Sequence, residues 1–298
     1  MRIPLIIKKN VILFMLLVTA FLTFPKTARA DDLLQSEMEE QSQKTESRSE
    51  PKFKYEYGVF LGADPKDIPQ MKDYHIIVID AQGFSKKQIK KLKSAGHVVY
   101  SYLNVGAIET FRPYYEEYKL YTLSAYEHWE EEYWIDVTQK PWQEHIVGVS
   151  EKLKKKGVDG LFVDNYDVYY HYRSDAVYKS LTKILKAFRK QGFYILINGG
   201  DIYVKEYMRR NKKLSLIDGI NQESVFSKVN WEDGSFGKKG TSEKNYFLKY
   251  AAKVKKRGGD VCFLEYTKDK EFRKQIKAYC KKKGYRYYIS GDLDLGTR

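Results

Sequence analysis

The residues best suited to chemistry are acids that stand at the ends of short apolar runs. Gly160-Leu-Phe-Val-Asp-Asn-Tyr-Asp167 passes from three apolar residues into Asp164, Asn165 and Asp167. Asp80 closes HIIVID, Asn104 and Glu109 end or follow VVYSYLNVG, Asn198 closes YILIN, and Glu223, Glu265 and Asp292 end three later runs. An acid in such a place can simply cap the next helix or accept a loop N–H. Six such acids, delivered to one rim, describe a cleft. Two carboxyl groups facing one another, with no phosphate loop, no Gly-x-Ser-x-Gly turn and no His/Cys ligand spacing, suit glycosidic bond hydrolysis, in which one acts as acid/base and the other as nucleophile or base. The expectation includes no metal and no cofactor. The five histidines, at 75, 97, 128, 145 and 171, are isolated.

An internal echo narrows the choice of acids. Val158-Asp-Gly-Leu-Phe-Val-Asp164 and Ile217-Asp-Gly-Ile-Asn-Gln-Glu223 each set an acid five residues beyond the Asp of an Asp-Gly pair. Strands beginning alike would deliver Asp164 and Glu223 at equal depth. Period-2 alternation puts Asp164 on the face of Gly160 and Phe162, and leaves open which face is inward.

Positioning such a rim requires a scaffold, and the periodicity supplies one. β-rich runs at 55–62, 75–81, 97–106, 158–165, 194–200, 216–224, 261–267 and 286–292 alternate with amphipathic segments opening at Ser85, Pro141, Asp175, Ser242 and Asp269. Parallel strands joined by helices are expected from that alternation. Eight of them over 247 residues fit a (β/α)8 TIM barrel or an open doubly wound sheet; the length and the absence of a Gly-rich dinucleotide turn after the first run favour the barrel, a single-domain α/β fold spanning 52–298 with chemistry at the carboxyl ends of the strands.

Arg2, Lys8 and Lys9 precede the apolar run VILFMLLVTAFLTF, and Ala28-Arg29-Ala30 follows. Residues 1–30 therefore read as a secretory signal peptide, or else as a retained anchor that gives transient membrane association. Residues 31–51, rich in Glu, Ser and Gln, read as a flexible linker. The expected location is secreted or at the cell envelope. Formal charge is +14, falling to +9 without the five basic residues of the first thirty. Most lysines lie at helical spacing, as solvated faces or as a polyanion-binding surface. An acid-lined rim on an exported protein argues against nucleic acid. Cys262 and Cys280 either pair or are buried as small apolar groups. Aromatic residues make up 15% of the chain. Tyr166, Tyr169, Tyr170 and Tyr172 follow the fourth run, and Tyr102, Trp134, Trp231 and Tyr266 lie near other run ends, where they suit a saccharide groove or a tyrosine-rich barrel surface. A polysaccharide is the expected partner and the chain is expected to be a monomer. A barrel that binds carbohydrate without cleaving it is the alternative reading.

YHIIVIDAQGFS, YSYLNVGAIETFRPYY, WIDVTQKPWQEHIV, KGVDGLFVDNYDVY, NGGDI, GINQESVF, FLEYT and YYISGDLDL, in that order from Tyr57 to Leu295, resemble the endo-α-1,4-polygalactosaminidase family, glycoside hydrolase family 114. The resemblance implies a (β/α)8 barrel that cleaves α-1,4-linked galactosamine or partly acetylated galactosamine polymers internally. It implies Asp164 as nucleophile and Glu223 as acid/base, with Asp80, Glu109, Arg112, Asn165, Asp167, Asn198 and Glu265, and the neighbouring Tyr166, lining the cleft. One departure is Ala107, where the family often has Glu after Asn-Val-Gly.

Overall fold

Each β-rich run becomes a strand. In the computed structural model, which describes residues 53–297, eight parallel strands form one sheet: β1 Tyr55–Phe60, β2 Tyr74–Ile79, β3 Val98–Asn104, β4 Gly160–Asp164, β5 Tyr194–Asn198, β6 Gly219–Glu223, β7 Asp260–Tyr266 and β8 Arg286–Ser290. They pair in sequence order, β1 to β8, and curl into a nearly closed (β/α)8 barrel. The expected signal peptide and linker lie outside the described residues.

Six longer helices cover the sheet: α1 Lys86–Ser94, α2 Lys140–Lys156, α3 Asp175–Lys190, α4 Asp201–Arg210, α5 Thr241–Lys256 and α6 Lys270–Lys283. Five answer to the expected amphipathic segments; α4, directly after the Gly199-Gly200 pair, was not among them. Local signals set their starts. Ser85 and Gln88 form a capping box at α1, and the side chains of Ser174 and Asp269 accept from Val177 N and Phe272 N at α3 and α6. In α3, Val177, Leu181, Ile184, Leu185 and Phe188 recur at helical spacing and are all buried against the sheet.

Alternation along each strand separates two cores. Val59, Ile76, Val78, Tyr100, Phe162, Leu196, Cys262 and Leu264 fill the lumen. Their neighbours Ile77, Val99, Leu161, Val163, Ile195 and Phe263 face the helices. The lumen is thus the face of Phe162, and Asp164 points into it. Cys262 lies in the lumen and Cys280 on α6; both are buried and free.

Two insertions at the carboxyl-end rim were not foreseen. Between β3 and α2 the chain forms a three-stranded antiparallel sheet, Ala107–Glu109, Thr122–Ala125 and Glu132–Ile135. Between β6 and α5 it forms a hairpin, Ser227–Asn230 with Ser235–Lys238.

Candidate active site

The Asp-Gly echo has a structural origin. Asp159 Oδ2 accepts from Val99 N at 3.0 Å, and Asp218 Oδ2 from Ile195 N at 2.7 Å. Each Asp therefore ties the start of its own strand, β4 or β6, to the strand before it. Five residues further on, Asp164 and Glu223 leave the sheet on either side of β5.

Asn198, the last residue of β5, joins them. Its Nδ2 donates to Asp164 Oδ1 at 2.9 Å and to Glu223 Oε1 at 2.7 Å, so those two oxygens stand no farther apart than the sum of the bonds, 5.6 Å. The orientation of the amide is itself fixed, because Asn221 Nδ2 donates to Asn198 Oδ1 at 2.7 Å and Tyr57 Oη donates to Asn221 Oδ1 at 3.1 Å. Tyr266 Oη donates to Glu223 Oε2 at 2.6 Å. Burial raises both carboxyl pKa values, Asp164 well above the ordinary range, where the Glu223 and Glu132 charges add to the effect; at Glu223 the Tyr266 and Asn198 donors pull the other way. Two repelling acids at this separation hold one proton between them over a range of pH, and its titration belongs to the pair.

A second cluster lies across the lumen. Arg112 Nη1 donates to Asp80 Oδ2 at 2.6 Å, and its Nε and Nη2 grip Glu109 at 3.1 and 2.9 Å. Tyr102 Oη donates to Glu109 Oε1 at 3.2 Å. Beside it, Glu132 accepts from Asn104 Nδ2 and Asn165 Nδ2, each at 2.6 Å. Burial, with the neighbouring Glu109 charge, raises the Glu132 pKa to about 7 against those two donors. Asp167 accepts from Gly200 N at 2.9 Å, and burial raises its pKa to about 6.

Two glycine positions make these approaches feasible. A Cβ on Gly106 would stand 1.7 Å from the Asn165 carbonyl oxygen, and one on Gly199, at φ +63°, would stand 2.5 Å from the Asp167 carboxylate. Ala107, the departure noted above, is fully buried and its amide is held by Asn104 Oδ1.

These groups line a cleft of about 980 Å³ with ten carboxylate side chains and three cationic ones, Arg112, Lys228 and Lys239. Asp80, Glu109, Arg112, Asp164, Asn165, Asp167, Asn198 and Glu223 all border it. Two expected residues do not. Glu265 shares the outward face of β7 with Phe263 and has no solvent exposure; its carboxylate accepts from Val225 N, Phe226 N, Ser227 N and Ser227 Oγ, clamping the chain that follows β6. Tyr166 is fully buried, stacked edge-on against Tyr203 with its hydroxyl on Leu181 O. Tyr169, Tyr170 and Tyr172 also stand outside the cleft lining, as do Trp134, buried against Tyr126 and His171, and Asp292, which accepts from Leu295 N.

Of the aromatics expected at the groove, Tyr102, Trp231 and Tyr266 do border the cleft, and unexpected ones join them. Tyr102, Phe111, Tyr126, Trp129, Trp231, Phe247 and Tyr266 border the cleft. Trp129 from one insertion and Trp231 from the other meet edge to face at 5.8 Å, and His128 stacks on Trp231 at 4.7 Å. Sequence reasoning missed Glu132, Tyr126, Trp129 and Asn221. Asn221 was legible, since alternation in GINQE places it on the Glu223 face; the other three belong to an insertion whose return to the rim is a tertiary fact.

The model of glycoside-hydrolase family GH114 matches residues 36–297. An uncharacterized protein of Methanocaldococcus jannaschii is 25% identical over 230 residues, covering 70% of this chain and 65% of that protein. Another, from Thermotoga maritima, is 23% identical over 237 residues, covering 70% and 69%. Among solved structures, the glycoside hydrolase domain of PelA from Pseudomonas aeruginosa has a TM-score of 0.69 at 16% identity, covering 80% of this chain and 95% of that one. Ega3 of Aspergillus fumigatus, in complex with galactosamine, has a TM-score of 0.64 at 15% identity, covering 85% and 97%. At these identities the structural likeness establishes a common fold.

Proposed function

This chain belongs to glycoside-hydrolase family GH114 and is a glycoside hydrolase; from that premise we propose that its cleft cleaves α-1,4-linked galactosamine polymers internally, with retention at the anomeric carbon. The observation that carries this reading is Asn198, whose one amide nitrogen holds the Asp164 and Glu223 carboxylates within 5.6 Å. Retaining enzymes set their two carboxyl groups about 5–5.5 Å apart, whereas inverting ones leave about 6.5–9.5 Å for a water.

In this reading the one proton of the pair resides on Glu223 in the productive form, so that Asp164, as the carboxylate, attacks the anomeric carbon while Glu223 gives that proton to the departing glycosidic oxygen. A glycosyl ester forms on Asp164 and the sugar–oxygen bond breaks. Glu223, now a carboxylate, takes a proton from water, whose oxygen displaces Asp164 from the sugar. Tyr266 and Asn198 hold Glu223 against rotation through both steps. An amino sugar carries positive charge below its amine pKa, and the excess of carboxylates over cations along the cleft supports such a substrate. Galactosamine bound to Ega3 supports the same class. Trp129 and Trp231 offer faces on which sugar rings beyond the scissile bond can stack. The amino-terminal thirty residues serve export in this proposal, 31–51 act as a linker, and the barrel works outside the cytoplasm.

The full chain is expected to release new reducing ends from α-1,4-polygalactosamine as a ladder of oligosaccharides. Asp164→Asn and Glu223→Gln should each lower the rate at least about a hundredfold. On a substrate with an activated leaving group, which needs no acid, Glu223→Gln should recover its first step and Asp164→Asn should not; the reverse would exchange the roles. Saturable binding without reducing ends in the native chain would replace the hydrolase with a carbohydrate-binding barrel.

A further inference from the structure

The lysine-rich helices carry a consequence that the cleft does not use. In a parallel barrel each helix runs from the carboxyl-end rim back to the amino end of the next strand, so all helix C-termini gather on the face opposite the cleft. Ion pairs establish this end: Lys93 of α1 meets Asp159 before β4, Arg189 of α3 meets Asp218 before β6, and Lys255 of α5 meets Asp260 at the start of β7. Asp159, Asp218 and Asp260 are thus already engaged. Lys155, Lys190, Lys212, Lys256, Lys282 and Lys283, from four helices and a connecting loop, are exposed and pair with no carboxylate among the described residues. Offsetting the helix dipole favours a cation in each last turn, at about 0.3–1 kcal/mol. It does not explain why six unpaired lysines gather on one face while the cleft on the opposite face is lined with carboxylates.

Two further observations point to the occupant. Phe53, where the described chain begins, stacks on His75 and packs at a tilt against His97 at this same end, and Tyr55 beside it is 36% exposed with the Lys54 ammonium over its ring. An aromatic flanked by lysines is the composition of a membrane–water interface. The polypeptide that precedes Phe53 contains the apolar run VILFMLLVTAFLTF, whose chemistry is that of lipid, and it joins the barrel at this face.

We propose that the basic amino-end face docks on an anionic phospholipid bilayer and holds the cleft facing away from it. Each lysine near such a surface adds to the attraction, which salt screens.

The test is sedimentation of the full chain with vesicles of phosphatidylcholine alone and of phosphatidylcholine with roughly one third phosphatidylglycerol. The expected result is greater partition onto the anionic vesicles, reduced by salt. Replacing Lys155, Lys190, Lys212, Lys256, Lys282 and Lys283 by Gln should lower that partition at least about tenfold. Replacing Lys66, Lys86, Lys87, Lys140, Lys179 and Lys270, which lie in early turns toward the other end, should change it less than about twofold. Unchanged circular dichroism of both variants separates lost docking from lost fold. Equal partition onto both vesicle types, or equal loss in the two variants, would overturn the proposal. Binding to soluble polyphosphate but not to anionic vesicles, lost with the first set alone, would overturn it in favour of a soluble polyanion. Neither readout involves hydrolysis, so this proposal and the catalytic one fail separately.

Discussion

At the scale of single residues, Asn198 is where the geometry is set. Among the described residues its amide is the group that hydrogen-bonds both Asp164 and Glu223, and its own orientation is fixed by the hydrogen bonds running from Tyr57 through Asn221. Asn198→Leu removes both donors and leaves two buried acids unsupported, a loss of about 1.5–3 kcal/mol for each hydrogen bond to a charged group. Activity on α-1,4-polygalactosamine should fall at least about tenfold, and the upper pKa of its pH–rate profile should rise, because the anionic form of the pair is no longer favoured. Glu132 makes a second prediction, this time on stability. Its folded pKa of about 7 lies above the ordinary 4.5, so the folded protein holds a proton there that the unfolded chain releases. The resulting stabilisation is complete below pH 4.5 and is lost as pH rises to 7, at most about 3 kcal/mol. Glu132→Gln keeps an oxygen for Asn104 and Asn165 and does not titrate. Chemical denaturation at pH 5 and pH 8 should therefore show a smaller pH-dependent difference for this variant than for the parent.

At the scale of elements, the two insertions finish what the strands begin. The insertion after β3 brings Glu132, His128 and Trp129 to the cleft, and the hairpin after β6 brings Lys228 and Trp231. The second insertion depends on Glu265, whose carboxylate gathers three consecutive amides and a hydroxyl. Glu265→Gln replaces one accepting oxygen by an NH2 that faces amide donors. Removing one partner from so fully buried a cluster should cost about 2–4 kcal/mol in denaturant unfolding. The same change should raise KM more than it lowers kcat, since it loosens the hairpin that carries Trp231 and leaves Asp164 in place; equal effects on both would place Glu265 in the chemistry itself. Its position on the outward face of β7 follows from the same period-2 rule that sends Leu264 and Tyr266 inward, and so was available from the alternation in VCFLEYT. The clustering of tyrosines after β4 misled for the converse reason. A run of aromatics close in sequence winds around a short helix, Val168–His171, and disperses: Tyr166 and Tyr169 pack on Tyr203 of α4, Tyr170 is exposed, and Tyr172 hydrogen-bonds Ser124 of the insertion after β3.

At the scale of the whole molecule, carboxylates concentrate in the cleft while, among the described residues, unpaired lysines gather on the amino-end face. A cationic polymer meets an attractive cleft despite the net positive charge of the chain, because within a Debye length of about 8 Å at physiological salt the local carboxylates dominate. Raising the salt from low to physiological strength should therefore lower kcat/KM on α-1,4-polygalactosamine, with the effect largely in KM; a rise with salt would mean that the basic face governs encounter. The sequence by itself determined the eight strands, the single barrel, and the placing of Asp164 and Glu223 at equal depth, because strand period, cap residues and the Asp-Gly starts are local rules that each segment obeys alone. Only the tertiary structure decided that Asn198 spans the two acids, that Glu132 and Trp129 return to the rim, and that Tyr166 does not reach it. Those facts depend on barrel closure and on chain reversals in the insertions, which set distances between residues remote in sequence and which no local period encodes.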